Sequence, residues 1–153
     1  MENKQDKKIE ILLSALQERY NAQHTIRNRV QNTGVWVVGI LGAVGGWVLK
    51  EQPCFGLAQT LLAIAFFSTA FYIIRFVYLD DLNKGFRGQQ RSASKIEKAL
   101  GLYKKDEFIQ DETLYPESWE KAGTDKGEGK FFKTTFYLIY LGFGFVILSL
   151  LLV

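Results

Sequence analysis

"GVWVVGILGAVGGWVL", residues 34–49, is sixteen residues long, carries no charge and contains five glycines. Glycine in a helix interior costs about 1 kcal/mol relative to alanine, so a buried helix of a water-soluble domain rarely holds so many. A helix in lipid does, because small residues let helix backbones approach closely where no hydrophobic force draws them together. Two further stretches are almost free of charge: 53–74, with 22 residues, and 134–153, with 20. A bilayer core takes about 20 apolar residues of helix. The first run reaches that length with Thr33 at one end and Lys50 snorkelling at the other. The sequence therefore predicts an all-α membrane protein with three transmembrane helices. Its parts are a cytoplasmic amphipathic helix at 1–33, the first span at 34–49, the second at 53–78, a cytoplasmic helix and loop at 79–133, and the third span at 134–153, together one membrane domain.

The distribution of basic residues orients these spans. Six Lys or Arg precede residue 34, one (Lys50) lies in the first connection, twelve fall in 75–133 and none follows. Cytoplasmic flanks carry the positive excess, so the N-terminus and the middle segment are expected in the cytoplasm, with the 50–53 connection and the C-terminus at the outer face. Trp36 and Trp47 stand near opposite ends of the first span, as interfacial aromatics do. No cleavable leader and no acid-poor transit peptide is visible, which favours a bacterial inner membrane and an uncleaved first span.

The spans are predicted to continue as helices beyond the membrane. Ile9, Leu13, Leu16, Tyr20, Ile26 or Arg27, and Val30 recur at helical spacing, and neither Pro nor Gly interrupts 9–33. A second stripe, Tyr78, Leu82, Gly85 or Phe86, Gln89, Ala93, Ile96 and Leu100, stops at Gly101, a helix-ending residue. Helix two is thus expected from Pro53, at its first helical position, to Leu100. "KEQP" (50–53) would fold it back on helix one as a long antiparallel hairpin reaching into the cytoplasm. That register sets Ile26 near Val77, His24 near Leu79 and Asp80, and Leu16 opposite Phe86–Arg87. It gathers a membrane-surface charge cluster of His24, Arg27, Arg29, Arg75, Asp80 and Asp81, either a solvated belt or a set of ion pairs. "YPESWEKAG" (115–123) reads as a short helix and "GTDKGEGK" (123–130) as a polar connector.

Catalytic chemistry is not expected. The chain has one His and one Cys, no Gly-Lys-Ser/Thr phosphate loop and no metal-ligand spacing. Cys54 alone makes no intramolecular disulfide. The twelve basic residues of 75–133 are offset by eleven acids, so no nucleic-acid stripe stands out. No cofactor, metal or enzyme activity is predicted. The informative residues are small. Gly39, Gly42, Ala43 and Gly46 repeat at three and four, and Gly42-xxx-Gly46 is a close-packing motif. Gly85 and Gly88, with Ser92, form a second small stripe. Such stripes pack against helix two, against another subunit, or both. Ser68, Tyr72 and Arg75 share one face of helix two, and no span carries a charge at mid-depth.

"RYNAQHTIRNRVQNTG" (19–34), directly before the glycine-rich span, resembles the entry helix of SLATT-like small membrane effectors. "YLDDLNKGFRGQQRSASKIEKALGLY" (78–103), the later "YPESW" and the third span resemble the RipA-type octameric bacterial membrane proteins. The RipA-type resemblance implies a homo-octameric inner-membrane assembly; the SLATT-like one implies a pore or membrane-disrupting output. No nucleotide-binding domain is visible, so a nucleotide trigger would have to come from a cytoplasmic partner. The expected function is a homo-oligomeric pore or channel-like assembly in membrane lipid, the alternative a non-conducting scaffold that organises proteins or lipid.

Overall fold

The computed structural model describes residues 2–124 and 130–153. Most of the predicted polar connector at 123–130 lies outside them. The described residues form α1 (Glu2–Glu51), α2 (Leu57–Tyr72), a π-helical turn (Ile73–Tyr78), α3 (Leu79–Ala99), a 3-10 turn (Glu117–Lys121) and α4 (Lys130–Leu152), with no strand among them. Three helical stretches, Lys4–Glu51, Leu57–Ala99 and Phe131–Leu152, are long and apolar enough to cross a membrane. The chain divides into two compact units, Met1–Arg27 with Asn83–Glu128 and Asn28–Leu82 with Gly129–Val153.

The second unit holds the three apolar segments. α4 buries Phe132, Thr135, Ile139, Phe143, Val146, Ser149 and Leu150, one stripe at spacings of three and four. The side of α1 with Val30, Gly34, Leu41, Gly45 and Val48 is buried in the same unit. Gly34 meets Thr135, Leu41 meets Gly142, and Gly45 meets Phe145 and Ser149. Residue numbers rise together along this seam, so α1 and α4 run parallel. The seam is tight enough to require glycine. A Cβ at Gly34 would stand 2.9 Å from Thr135 Cγ2, and one at Gly45 would stand 2.5 Å from Phe145 Cε1. α2 lies antiparallel to α4 through Phe71, whose ring centroid is 5.4 Å from that of Tyr140 and 5.2 Å from that of Phe143. No residue of α2 is fully buried.

Helix two begins later than the sequence predicted. Pro53 is not its first helical residue; 52–56 are non-helical and Gln52 has φ 42°. Gly56 is the cap. Its N–H donates to Gln59 Oε1 at 3.0 Å, the reach-back bond of an N3 side chain, and that bond fixes the start at Leu57. The helix also changes pitch at Ile73–Tyr78, where the Leu79 N–H reaches the Ile74 carbonyl five residues back.

In the first unit the α1 segment before Arg27 meets α3. Arg19 Nη1 donates to Gln89 Oε1 at 3.0 Å and Tyr20 Oη donates to Glu97 Oε1 at 2.7 Å. The predicted register is corrected here. Ile26 Cδ1 stands 3.8 Å from a Cβ placed on Gly85, so Ile26 faces Gly85 rather than Val77. Leu16 borders a groove with Ala99, Leu100 and Tyr115 rather than Phe86–Arg87.

α3 ends at Gly101, φ 78°. The Leu102 N–H bonds the Glu97 carbonyl and the Gly101 N–H bonds the Lys98 carbonyl, both at 3.1 Å, the paired bonds of a Schellman cap. The chain then folds back on α3. Ser94 Oγ donates to the Glu120 carbonyl at 2.7 Å, and Arg91 Nε donates to the Gly123 carbonyl at 2.9 Å. The expected short helix in "YPESWEKAG" is the 3-10 turn, and Trp119 packs edge-on against Tyr115 at 5.5 Å between centroids.

Candidate functional site

The glycines of α1 fall into two sets. Gly34 and Gly45 are packed on α4. Gly39, Gly42 and Gly46 have nothing within 4 Å of where a Cβ would stand, and Ala43 is exposed. At about 100° per residue, Gly39, Gly42 and Gly46 lie roughly 80–140° around α1 from the seam with α4. The small stripe found in the sequence is therefore not the surface that packs within the chain. The glycines that do pack, Gly34, Gly45 and Gly142, fall outside that stripe; spacing identifies a face without saying what meets it. Of the second stripe, Gly85 meets Ile26, while Gly88 has open space.

The charge cluster does not close on Arg75. Arg29 and Asp81 are exposed and Asp80 is half-buried in the same unit; His24 and Arg27 are exposed in the other. Arg75 lies in the π-turn and turns to α4 instead. Its guanidinium carbon is 3.8 Å from the Phe136 ring centroid and 5.1 Å from that of Phe76. Its Nε–H donates to Tyr140 Oη at 2.9 Å. Among the described residues no carboxylate lies within ion-pair distance of it. Two aromatic faces and a phenol hold the guanidinium.

A polar centre in the first unit was not legible. Glu97 is 6% exposed. Its carboxylate accepts from Tyr20 Oη at 2.7 Å and, through the other oxygen, from Tyr103 Oη. Both phenols are pushed well above the ordinary tyrosine range, first by burial and then by the bond to Glu97, because ionising either would set two negative charges side by side. The sequence stripe placed Ile96 on the covered face. The structure buries Ala93, Ser94 and Glu97 there, a phase shift of one residue that an apolar count conceals. Tyr20, Glu97, Gln23, Gln90 and Trp119 line a pocket of about 260 Å³. Among the described residues no group of three or more His, Cys, Asp or Glu stands together as metal ligands would. No family model, no curated protein and no solved structure matches this chain.

Proposed function

We propose that the chain is one subunit of a homo-oligomeric assembly in a bacterial inner membrane, with a pore or channel-like output. In this reading the first two spans form a hairpin that continues into the cytoplasm, and the N-terminus is cytoplasmic. One observation carries it: Gly39, Gly42 and Gly46 form a bare face on α1, beside the seam that α4 already occupies. Glycines facing lipid alone would keep their propensity cost of about 1 kcal/mol each with no packing in return. A second copy of the chain offers the close contact that offsets it. Exposed Ser68 and Tyr72, on one face of α2, would supply hydroxyls to a water path between copies.

The test is native mass analysis in mild detergent together with ion flux into protein-loaded vesicles. A defined subunit count and flux support the proposal; a monomer refutes it. A stable oligomer without flux supports the scaffold instead. One feature favours that second reading: the hydroxyls of Thr69 and Ser149 donate to carbonyls four residues back in their own helices, at 2.9 and 2.8 Å, and so spend their protons on the backbone rather than on a water path.

A further inference from the structure

Arg75 has five N–H donors and uses one of them inside the chain, on Tyr140. Stacking on Phe136 fixes the plane of the guanidinium, and both terminal nitrogens are left without an acceptor among the described residues. They form a rigid fork of the kind that matches a phosphate or carboxylate with two parallel bonds. Tyr140 Oη accepts from Arg75, so its own proton remains to be donated to the same anion. Arg75 directly follows the charge-free run 53–74 and sits level with Phe136 and Tyr140, in the first turns of the charge-free run 134–153. Lys133 is exposed on the same side of α4 as Tyr137 and Tyr140, nearer the cytoplasmic flank.

A groove begins at the same tyrosine. Tyr137, Tyr140, Leu141, Gly144, Phe145 and Leu148 line a shallow, open groove of about 540 Å³ on the surface of α4. Gly144 forms its floor, with nothing within 4 Å of where a Cβ would stand. From Tyr140 to Leu148 the groove runs about 12 Å along the helix axis, away from the charged end. It joins a cation fork to an apolar channel, the layout of a lipid with a charged head and a hydrocarbon tail.

We infer that Arg75, Tyr140 and the Gly144 groove of α4 form a binding site for one anionic phospholipid of the cytoplasmic leaflet. The phosphate sits on the Arg75 fork and an acyl chain lies along the groove. A zwitterionic headgroup brings its own ammonium, which competes with Arg75 for the phosphate; a phosphatidylglycerol headgroup does not. Negative lipid in that leaflet also attracts the basic flanks of the spans. The site rests on the membrane-spanning part of the proposed function and not on the oligomer or the pore.

The experiment is native mass spectrometry of the full chain in mild detergent, with equal amounts of dioleoyl phosphatidylglycerol and phosphatidylcholine added. Wild type should retain phosphatidylglycerol about tenfold over phosphatidylcholine, the factor that ~1.4 kcal/mol supplies. Arg75→Gln should bring the ratio near one, and Arg75→Lys, which keeps the charge and loses the fork, should fall between. Gly144→Leu fills open space, so it should fold normally while losing most retention of either lipid. Equal retention of both lipids by wild type overturns the site, as does an undiminished preference in Arg75→Gln. Displacement of the lipid by millimolar inorganic phosphate would show a free-phosphate site and overturn the lipid assignment. A subunit count that falls in Gly144→Leu, with lipid retention unchanged, would give the groove to a second copy. The same spectra separate the two proposals: a monomer that still prefers phosphatidylglycerol sinks only the assembly, and an oligomer without preference sinks only the lipid site. Release of wild type from membranes by alkaline carbonate without detergent would refute the spanning reading, and this site with it.

Discussion

Replacing Gly34 and Gly45 together by alanine tests the parallel seam between α1 and α4. Each new methyl meets a neighbour that yields poorly. At Gly34 it would stand 2.9 Å from Thr135 Cγ2, on a buried, β-branched side chain with a stiff χ1. At Gly45 it would stand 2.5 Å from Cε1 and 2.7 Å from Cδ1 of the Phe145 ring. Overpacking of this kind costs about 1–3 kcal/mol per site, and alanine returns about 1 kcal/mol of helix propensity. The sites lie about 16 Å apart along α1, far enough for their effects to add. The double variant should therefore lose about 2 kcal/mol, a drop of roughly 4–8 °C in the unfolding midpoint of a chain this size. The paired control is Gly42→Ala with Gly46→Ala. Neither methyl meets anything in the chain, so the helix seam should be as stable as in wild type or more so, while subunit association weakens. Thermal unfolding followed by circular dichroism in mild detergent, with native mass analysis on the same samples, reads both. An unchanged or raised midpoint in the Gly34/Gly45 variant would refute the seam. Equal loss in both pairs would show that all four glycines share one packed surface.

The corrected register is open to crosslinking in a Cys54→Ser background: cysteines at Ile26 and Gly85 should join under oxidation, and cysteines at Leu16 and Phe86 should not. For the buried carboxylate, Glu97→Ala leaves two phenols without their acceptor and should destabilise by about 1–3 kcal/mol, measured by urea unfolding of the detergent-solubilised chain. Because Tyr20 and Tyr103 are raised above the unfolded value of 10.0, their contribution to stability is complete below that pH and is lost as pH climbs beyond it. Ultraviolet titration should accordingly find the ionisation of Tyr20 and Tyr103 delayed well beyond pH 10.0, and Glu97→Gln should bring it to lower pH. Topology is tested by an impermeant thiol reagent on intact cells: a cysteine introduced at Gln52 should label, whereas cysteines at Lys4 and Lys105 should not.

The three long apolar helices were legible because the length and charge rule for crossing a bilayer can be read directly from composition. The end of α3 was legible as well, since Gly101 adopts a conformation that other residues avoid. What stayed hidden depended on small displacements. Pro53 suits a first helical position as well as a connection, and the choice turned on a single side-chain bond from Gly56 to Gln59. The π-turn at Ile73–Tyr78 leaves no mark in a run of apolar residues, and Glu97, buried beside a half-buried Ile96, is hidden by its charge. Arg75 looked like one member of a charged belt, because a sequence shows charges near one another but not the ring of Phe136, sixty residues on, that one of them has chosen.

The two glycine sets on α1 bear directly on assembly. A helix with one small-residue face needs one close neighbour, and the chain supplies it: α4 meets Gly34 and Gly45 and contributes Gly142 of its own. The face with Gly39, Gly42 and Gly46 asks for a second. α2 does not answer that demand, since its aromatic side, Phe71 with Arg75, is already turned to α4. In water an exposed glycine face would be unremarked, because solvent satisfies the backbone. In hydrocarbon it leaves a shallow furrow that acyl chains fill loosely and another helix backbone fills well, and dispersion across a full helix face sums over many atom pairs of about 0.1–0.2 kcal/mol each. α1 is packed on one side within the chain; in the assembly proposed above its bare glycine face would pack between copies, an arrangement that needs at least two chains whether or not water passes between them.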